Sequence, residues 1–282
     1  MIYSRLRRNI RKILGIKPQM IFVDAKASAV VAPTVIIENS RIELKGNSQL
    51  VIDDDVSIRG SLIVLRDSSL HISSNTQLEA INMFAEQGCN ISIGKNSKVD
   101  RYDFMLQSAH FISENECHFV QGRNALRPYF NITDGEVHIE DHNVIKAEFW
   151  VRFGGVVHVG QYNCINERTE IRCDESITIG SFNMISYDCS IWDTNTHCQY
   201  NAEKRRAKTI AEFPIIGKED ERPKTKPITI GDDCWIGKYA TLLKGTQLKN
   251  QVTIGVRALV SNQIVPDKAT VVSTNTRVIL AE

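Results

Sequence analysis

The sequence predicts an all-β fold, a single-stranded parallel β-helix, and three features carry the prediction. First, an aliphatic residue recurs every sixth position as Ile230, Ile236, Leu242, Leu248, Ile254 and Val260. Four residues after each sits a small or β-branched side chain: Cys234, Ala240, Thr246, Val252, Ala258 and Ile264. A period of six suits neither a helix nor a lone strand; it suits a short strand and tight turn repeated three times per coil. Second, Val137-His138-Ile139, Val157-His158-Val159 and Ile177-Thr178-Ile179 recur at intervals of 20. Within that interval the anchors step by 6, 6 and 8, as in Val159, Ile165, Ile171 and Ile179, and again in Ile52, Ile58, Val64 and Ile72. Third, one long interruption separates Ile191 from Ile230.

The elements follow in chain order. Residues 1–18 read as a basic amphipathic helix: Arg5, Arg7, Arg8, Arg11, Lys12 and Lys17 interleave with Ile2, Leu6, Ile10, Ile13 and Leu14, up to Pro18. This helix either caps the open end of the solenoid or docks on an anionic membrane surface. Residues 19–282 form the β-helix domain. The pairs Ile42/Leu44, Leu50/Ile52, Val56/Ile58, Leu62/Val64 and Leu70/Ile72 mark its early strands, and the anchors count to about nine coils. Successive coils stack ~4.8 Å apart, the spacing of paired strands. No coil has a core of its own, so each buries its face on its neighbours. Between Ile112 and Gly135 the register breaks at a small loop. Residues 192–228 form the long inserted loop, polar and charged, and loops of this length inside a regular scaffold are usually functional.

Composition narrows the function. Hydrophobic content of 42% and charged content of 24% match an ordinary soluble domain, and a net charge of +1 gives no electrostatic ground for nucleic-acid binding. The seven cysteines are odd in number and contain no C-x-x-C pair, which points to a reducing compartment rather than a disulfide framework or thiolate zinc site. No apolar run reaches the ~18–20 residues of a membrane span, and no secretory h-region is present. The expected location is cytoplasmic, with peripheral contact at the inner membrane face through the N-terminal helix.

Three segments carry a family likeness: VHVGQYNCINERTEI, ITIGSFNMISYDCSIWDTNTH and ITIGDDCWIGKYATLLKGTQLKNQVTIGVRALVSNQIVPDKATVV. With them, residues 157–280 resemble the hexapeptide-repeat acyltransferases, most closely the sugar O-acetyltransferase branch. D-x-x-x-H opens the insertion and W-I-G follows one coil later. The resemblance implies a left-handed β-helix, a homotrimer, and acetyl-CoA lying in the groove between subunits. His197 matches the family's catalytic histidine, and an imidazole with pKa ~6.5 suits removal of a hydroxyl proton near neutral pH. Asp193 either orients that ring through its second nitrogen or caps the loop turn. Asn166 matches an asparagine that contacts the acceptor or the developing oxyanion; alternatively it is an inward asparagine stacked on Asn183. Trp235 matches a tryptophan of the acetyl-CoA groove and should point outward. The same likeness sets Lys238, Val256, Ser261 and Asn262 along the pantetheine arm, and Arg277 near the nucleotide, where a guanidinium pairs with phosphate. Ser261-Asn262 replaces a common Thr-Lys and STNTRVI a common GVPxRVI, which leaves Lys244, Lys249 and Arg257 as substitute phosphate contacts.

Other residue clusters read differently. His138 and His158 occupy equivalent positions and should stack on one outer face. With His142 they form the only histidine cluster, without the spacing of a zinc carbonic anhydrase on this fold, so no metal is expected. Cys164, Cys189 and Cys234 fall at or beside small inward positions. The expected activity is acetyl-CoA-dependent O-acetylation of a sugar hydroxyl, the carbohydrate acceptor being a surface polysaccharide or its precursor. The competing readings are N-acetylation of a nucleotide amino sugar, O-acetylation of serine, and a carbohydrate-binding scaffold with vestigial activity.

Overall fold

The computed structural model describes residues 21–273 except 24–26, 39–40, 61, 81, 87, 101–102, 105, 107, 121–128 and 218–219. The N-terminal helix expected over 1–18 and Arg277 lie outside the described residues. The described residues wind as a left-handed parallel β-helix of 33 strands in three sheets of eleven. Sheet A runs from Ile21–Val23 to Leu259–Ser261, sheet B from Ser28–Val31 to Ile264–Val265, and sheet C from Ile36–Glu38 to Thr270–Val271. Each coil visits A, B and C in turn, so the prism has A–B, B–C and C–A corners.

Eleven coils replace the nine counted from anchors. The first coil begins at Ile21, ahead of the clear aliphatic alternation, and another is built on Phe111 and Phe119. The register step Val99↔Phe119 is 20, whereas Phe111↔Val137 is 26, so six extra residues enter after Val120 without breaking the stack. Phe111, Phe119, Phe130 and Phe149 fill the prism there, with Phe111–Phe130 and Phe130–Phe149 ring centroids 4.9 and 4.7 Å apart. Two anchors shift phase. Ile63 and Leu65, not Leu62 and Val64, point inward, and Phe111 is buried while Ile112 is 43% exposed. Runs of consecutive apolar residues erase the alternation that would mark the inner face.

The corners explain the glycines and asparagines. At the B–C corner Asn143, Asn163 and Asn183 form a buried ladder. Each side-chain oxygen accepts the backbone N–H one coil on, from Asn163, Asn183 and Cys234 at 2.9, 2.9 and 2.8 Å. The asparagine stacked on Asn183 is therefore Asn163, not Asn166; the inward row lies three residues earlier than the aligned position. At Gly180 an added Cβ would stand 2.8 Å from the Gly231 carbonyl, so close approach of successive coils requires glycine after the anchor. The left-handed residue of the same corner is His142, Tyr162 and Phe182 in successive coils, and their rings stack at 4.5 and 5.1 Å.

Candidate active site

The sheet A strand Ser190–Trp192 belongs to the ninth coil, and the chain leaves the solenoid at the A–B corner after it. It re-enters at Ile228–Ile230. Ile191 pairs with Leu242, a step of 51 where the preceding step is 20, so 31 residues are inserted. The base of the insertion is a short antiparallel ribbon. Asn195 N–H donates to the Lys224 carbonyl at 3.0 Å, Lys226 N–H to the Asp193 carbonyl at 2.9 Å, and Thr194 bridges Thr225. Beyond the base lies helix α1 (Ala202–Glu212), which the sequence pattern does not announce because AEKRRAKTIAE has no apolar stripe. None of its residues is buried. Asn201 caps it by accepting from Lys204 N–H at 2.8 Å, and Lys208 pairs with Glu212 across one turn.

His197 is exposed and follows the ribbon directly, two residues past Asn195. Asp193 faces the other way. It is wholly buried, its Oδ1 accepts from Asp174 N–H at 2.8 Å, and its Oδ2 accepts from Glu175 and Ser176 N–H at 2.8 and 2.7 Å and from the Cys173 thiol at 3.4 Å. Burial pushes its carboxyl above the usual carboxylate range, while the backbone donors pull it down. These are the contacts of a turn cap on the preceding coil, the second of the two roles the sequence allows Asp193.

The remaining candidates divide between two corners. Asn166 stands at the C–A corner, half-buried, with Nδ2 donating to the Ile185 carbonyl at 3.1 Å. Trp235 points outward from sheet C, 65% exposed, beside its register partner Met184. Lys238 lies at the C–A corner with Nζ 3.6 Å from Asp188 and 4.7 Å from the Tyr239 ring centroid, and Val256 is exposed one coil on. Ser261 and Asn262 are at the A–B corner, near the loop base, where Asn262 Oδ1 accepts from Lys226 Nζ at 2.5 Å. Sheet A separates the two groups. At ~3.3 Å per residue, one side of the prism is on the order of 17 Å, which sets the two corners about that far apart along sheet A.

Some charged contacts emerge only with the coils stacked. Arg168 grips Asp188 with bonds of 2.6 and 2.9 Å, which holds that carboxyl below the usual range. Arg257 lies 5.5 Å from the same Tyr239 ring that Lys238 meets. Lys244 donates to Asn195 Oδ1, which commits it to the loop base rather than to free solvent. Their alignment across the insertion becomes visible only when its 31 residues are removed from the count.

The histidine cluster is dispersed. His138 and His158 meet edge to face at 5.3 Å, but each pairs with its own glutamate, Glu114 at 2.8 Å and Glu140 at 3.1 Å. His142 sits at the B–C corner, paired with Glu116 at 3.1 Å. Among the described residues no group of three or more His, Cys, Asp or Glu side chains has metal-holding geometry. Cys189 and Cys234 are buried as expected, whereas Cys164 is half-exposed on an outward row with Val144 and Met184. Among the described residues no helix is long and apolar enough to cross a membrane.

No protein-family model and no curated protein sequence matches the chain. Among solved structures it is similar to the polySia-specific acetyltransferase NeuO, with 13% identity over 86% of this chain and 76% of that one and a TM-score of 0.34. It is also similar to the polysialic acid O-acetyltransferase OatWY, with 14% identity over 89% of this chain and 88% of that one and a TM-score of 0.29.

Proposed function

We propose that the protein is an acetyl-CoA-dependent O-acetyltransferase acting on a hydroxyl of a polysaccharide or its precursor, with His197 as general base. One observation carries the reading: an exposed histidine is presented at the pinned base of the long insertion, where the D-x-x-x-H of the sugar O-acetyltransferase pattern falls. A sugar hydroxyl is a weak nucleophile while protonated, and a base held at a fixed point removes that limit. His197 takes the hydroxyl proton as the oxygen attacks the thioester carbonyl. The tetrahedral oxyanion then collapses, the C–S bond breaks, and the imidazolium returns its proton to the leaving thiolate. Asn166 has one N–H on Ile185 and a second to offer that oxyanion.

The division of residues between two corners supports a homotrimer. A three-fold ring of head-to-tail contacts brings the A–B corner of one chain against the C–A corner of the next. His197 of one subunit then faces Asn166 and Trp235 of its neighbour, with the pantetheine arm along Trp235, Lys238 and Val256. Replacing His197 with alanine should abolish acetyl transfer while trimer formation and acetyl-CoA binding persist. Retained turnover in that variant would overturn the assignment, and mass spectrometry of the product separates ester from amide.

A further inference from the structure

Thr196, the residue before His197, has φ +63°. It is the one β-branched residue among the described residues with positive φ, a region that costs such side chains most. A closed hydrogen-bonded circuit holds it there. Its N–H donates to Thr194 Oγ1 at 3.1 Å, and that hydroxyl donates to Asp174 Oδ2 at 2.7 Å. Arg152 grips the same carboxylate with Nε and Nη2 at 3.0 and 2.8 Å, and Nη2 also donates to the Thr196 carbonyl at 3.4 Å. Both backbone polar groups of Thr196 are thus tied, through Thr194 and Arg152, to one buried anion, whose side chain is 1% exposed. The tie reaches back from the ninth coil to the seventh, since Arg152 follows the seventh sheet A strand, Glu148–Val151.

A turn cap alone would explain Asp193 but not this circuit, which bypasses the solenoid backbone and ends on the loop. We propose that Arg152 and Thr194 are positioning residues for His197: through Asp174 they lock Thr196 in its left-handed conformation and so fix where the imidazole stands. This rests on the reading of His197 as the base. The planar guanidinium can serve Asp174 and the Thr196 carbonyl together, whereas a lysine ammonium can keep the ion pair but lacks the fork.

The test uses the full-length protein with acetyl-CoA and an accepted glycan. Thr194→Val keeps volume and the Arg152–Asp174 pair but removes the hydroxyl; Arg152→Lys keeps the charge. Each should lower kcat roughly tenfold or more with KM for acetyl-CoA within about twofold, as loss of base orientation does. Thr194→Ser should restore kcat. A lowered melting temperature with unchanged kcat per folded trimer in both variants would overturn the proposal, as would equal loss in Thr194→Ser and Thr194→Val. If Thr194→Val does not fold, Arg152→Lys decides by the same split. His197→Ala separates the two levels: turnover surviving there removes the base assignment and this proposal with it. Turnover lost there but intact in Arg152→Lys and Thr194→Val removes this proposal alone.

Discussion

Replacing Asp193 tests whether this carboxylate is a cap or a catalytic partner. The side chain is wholly buried and is the acceptor for three backbone N–H groups, of Asp174, Glu175 and Ser176. Asp193→Ala strands all three, at ~1–3 kcal/mol per buried donor. Relief of a buried charge and entry of water offset part of that loss, leaving a net destabilisation of ~4 kcal/mol. For a chain of this size ~1 kcal/mol moves the melting temperature by ~2–4 °C, so the expected fall is on the order of 8–16 °C. Asp193→Asn keeps one acceptor but turns an NH2 toward N–H donors, and should cost ~3 kcal/mol. Thermal melts by circular dichroism give the shift, and amide exchange at residues 174–176 locates it. On the proposed function, acetyl transfer per folded protein in Asp193→Asn should stay within about threefold of the parent. A melting temperature unchanged alongside a hundredfold loss of kcat would refute the cap and restore Asp193 as the partner of His197.

Two further outcomes follow from the charges and thiols. Arg168 lowers the pKa of Asp188, so this pair adds stability above the unfolded carboxylate value of ~3.9 and loses it as pH falls through the depressed folded value. Because Arg168 is about a third exposed, Asp188→Asn should cost only ~1 kcal/mol at pH 7, with the gap to the parent closing as pH falls below about 4 in denaturant melts; a gap that ignores pH would exclude the ion pair as its source. Burial pushes the Cys117 thiol up to about 12 and Cys173 higher still, so alkylation at pH 8 followed by peptide mass mapping should mark half-exposed Cys198 first; early labelling of Cys117 or Cys173 would show that the coils around them open.

The solenoid was legible because its inner positions obey a short, strict period, and Ile230 to Val260 state it six times. The period failed where apolar residues run together, at Leu62–Arg66 and Phe111–Ile112, since either phase then satisfies the core. Helix α1 escaped detection for the opposite reason: a helix that buries nothing leaves no apolar stripe to read. Of the candidate site, the place of His197 at the insertion could be read from the break in period. The commitments of Asp193 and Asn163 could not, because they depend on which backbone donors the adjacent coil turns inward, the preceding one for Asp193 and the following one for Asn163. The Arg152 tie spans 44 residues and two coils, a separation that no local pattern marks.

The antiparallel ribbon at Asn195–Lys224 has a consequence for how such a protein diversifies. It closes the insertion before α1 begins, so the body of the loop is a cassette whose ends are already joined. Doubling the length of a closed loop costs only ~0.6 kcal/mol in chain entropy, and a helix with no buried side chain imposes no packing match on its replacement. Residues 199–220 are therefore free to be exchanged, lengthened or recharged while the frame below keeps its register. On the proposed reading, the histidine that does the chemistry belongs to the fixed part of this molecule, at the foot of an interchangeable one.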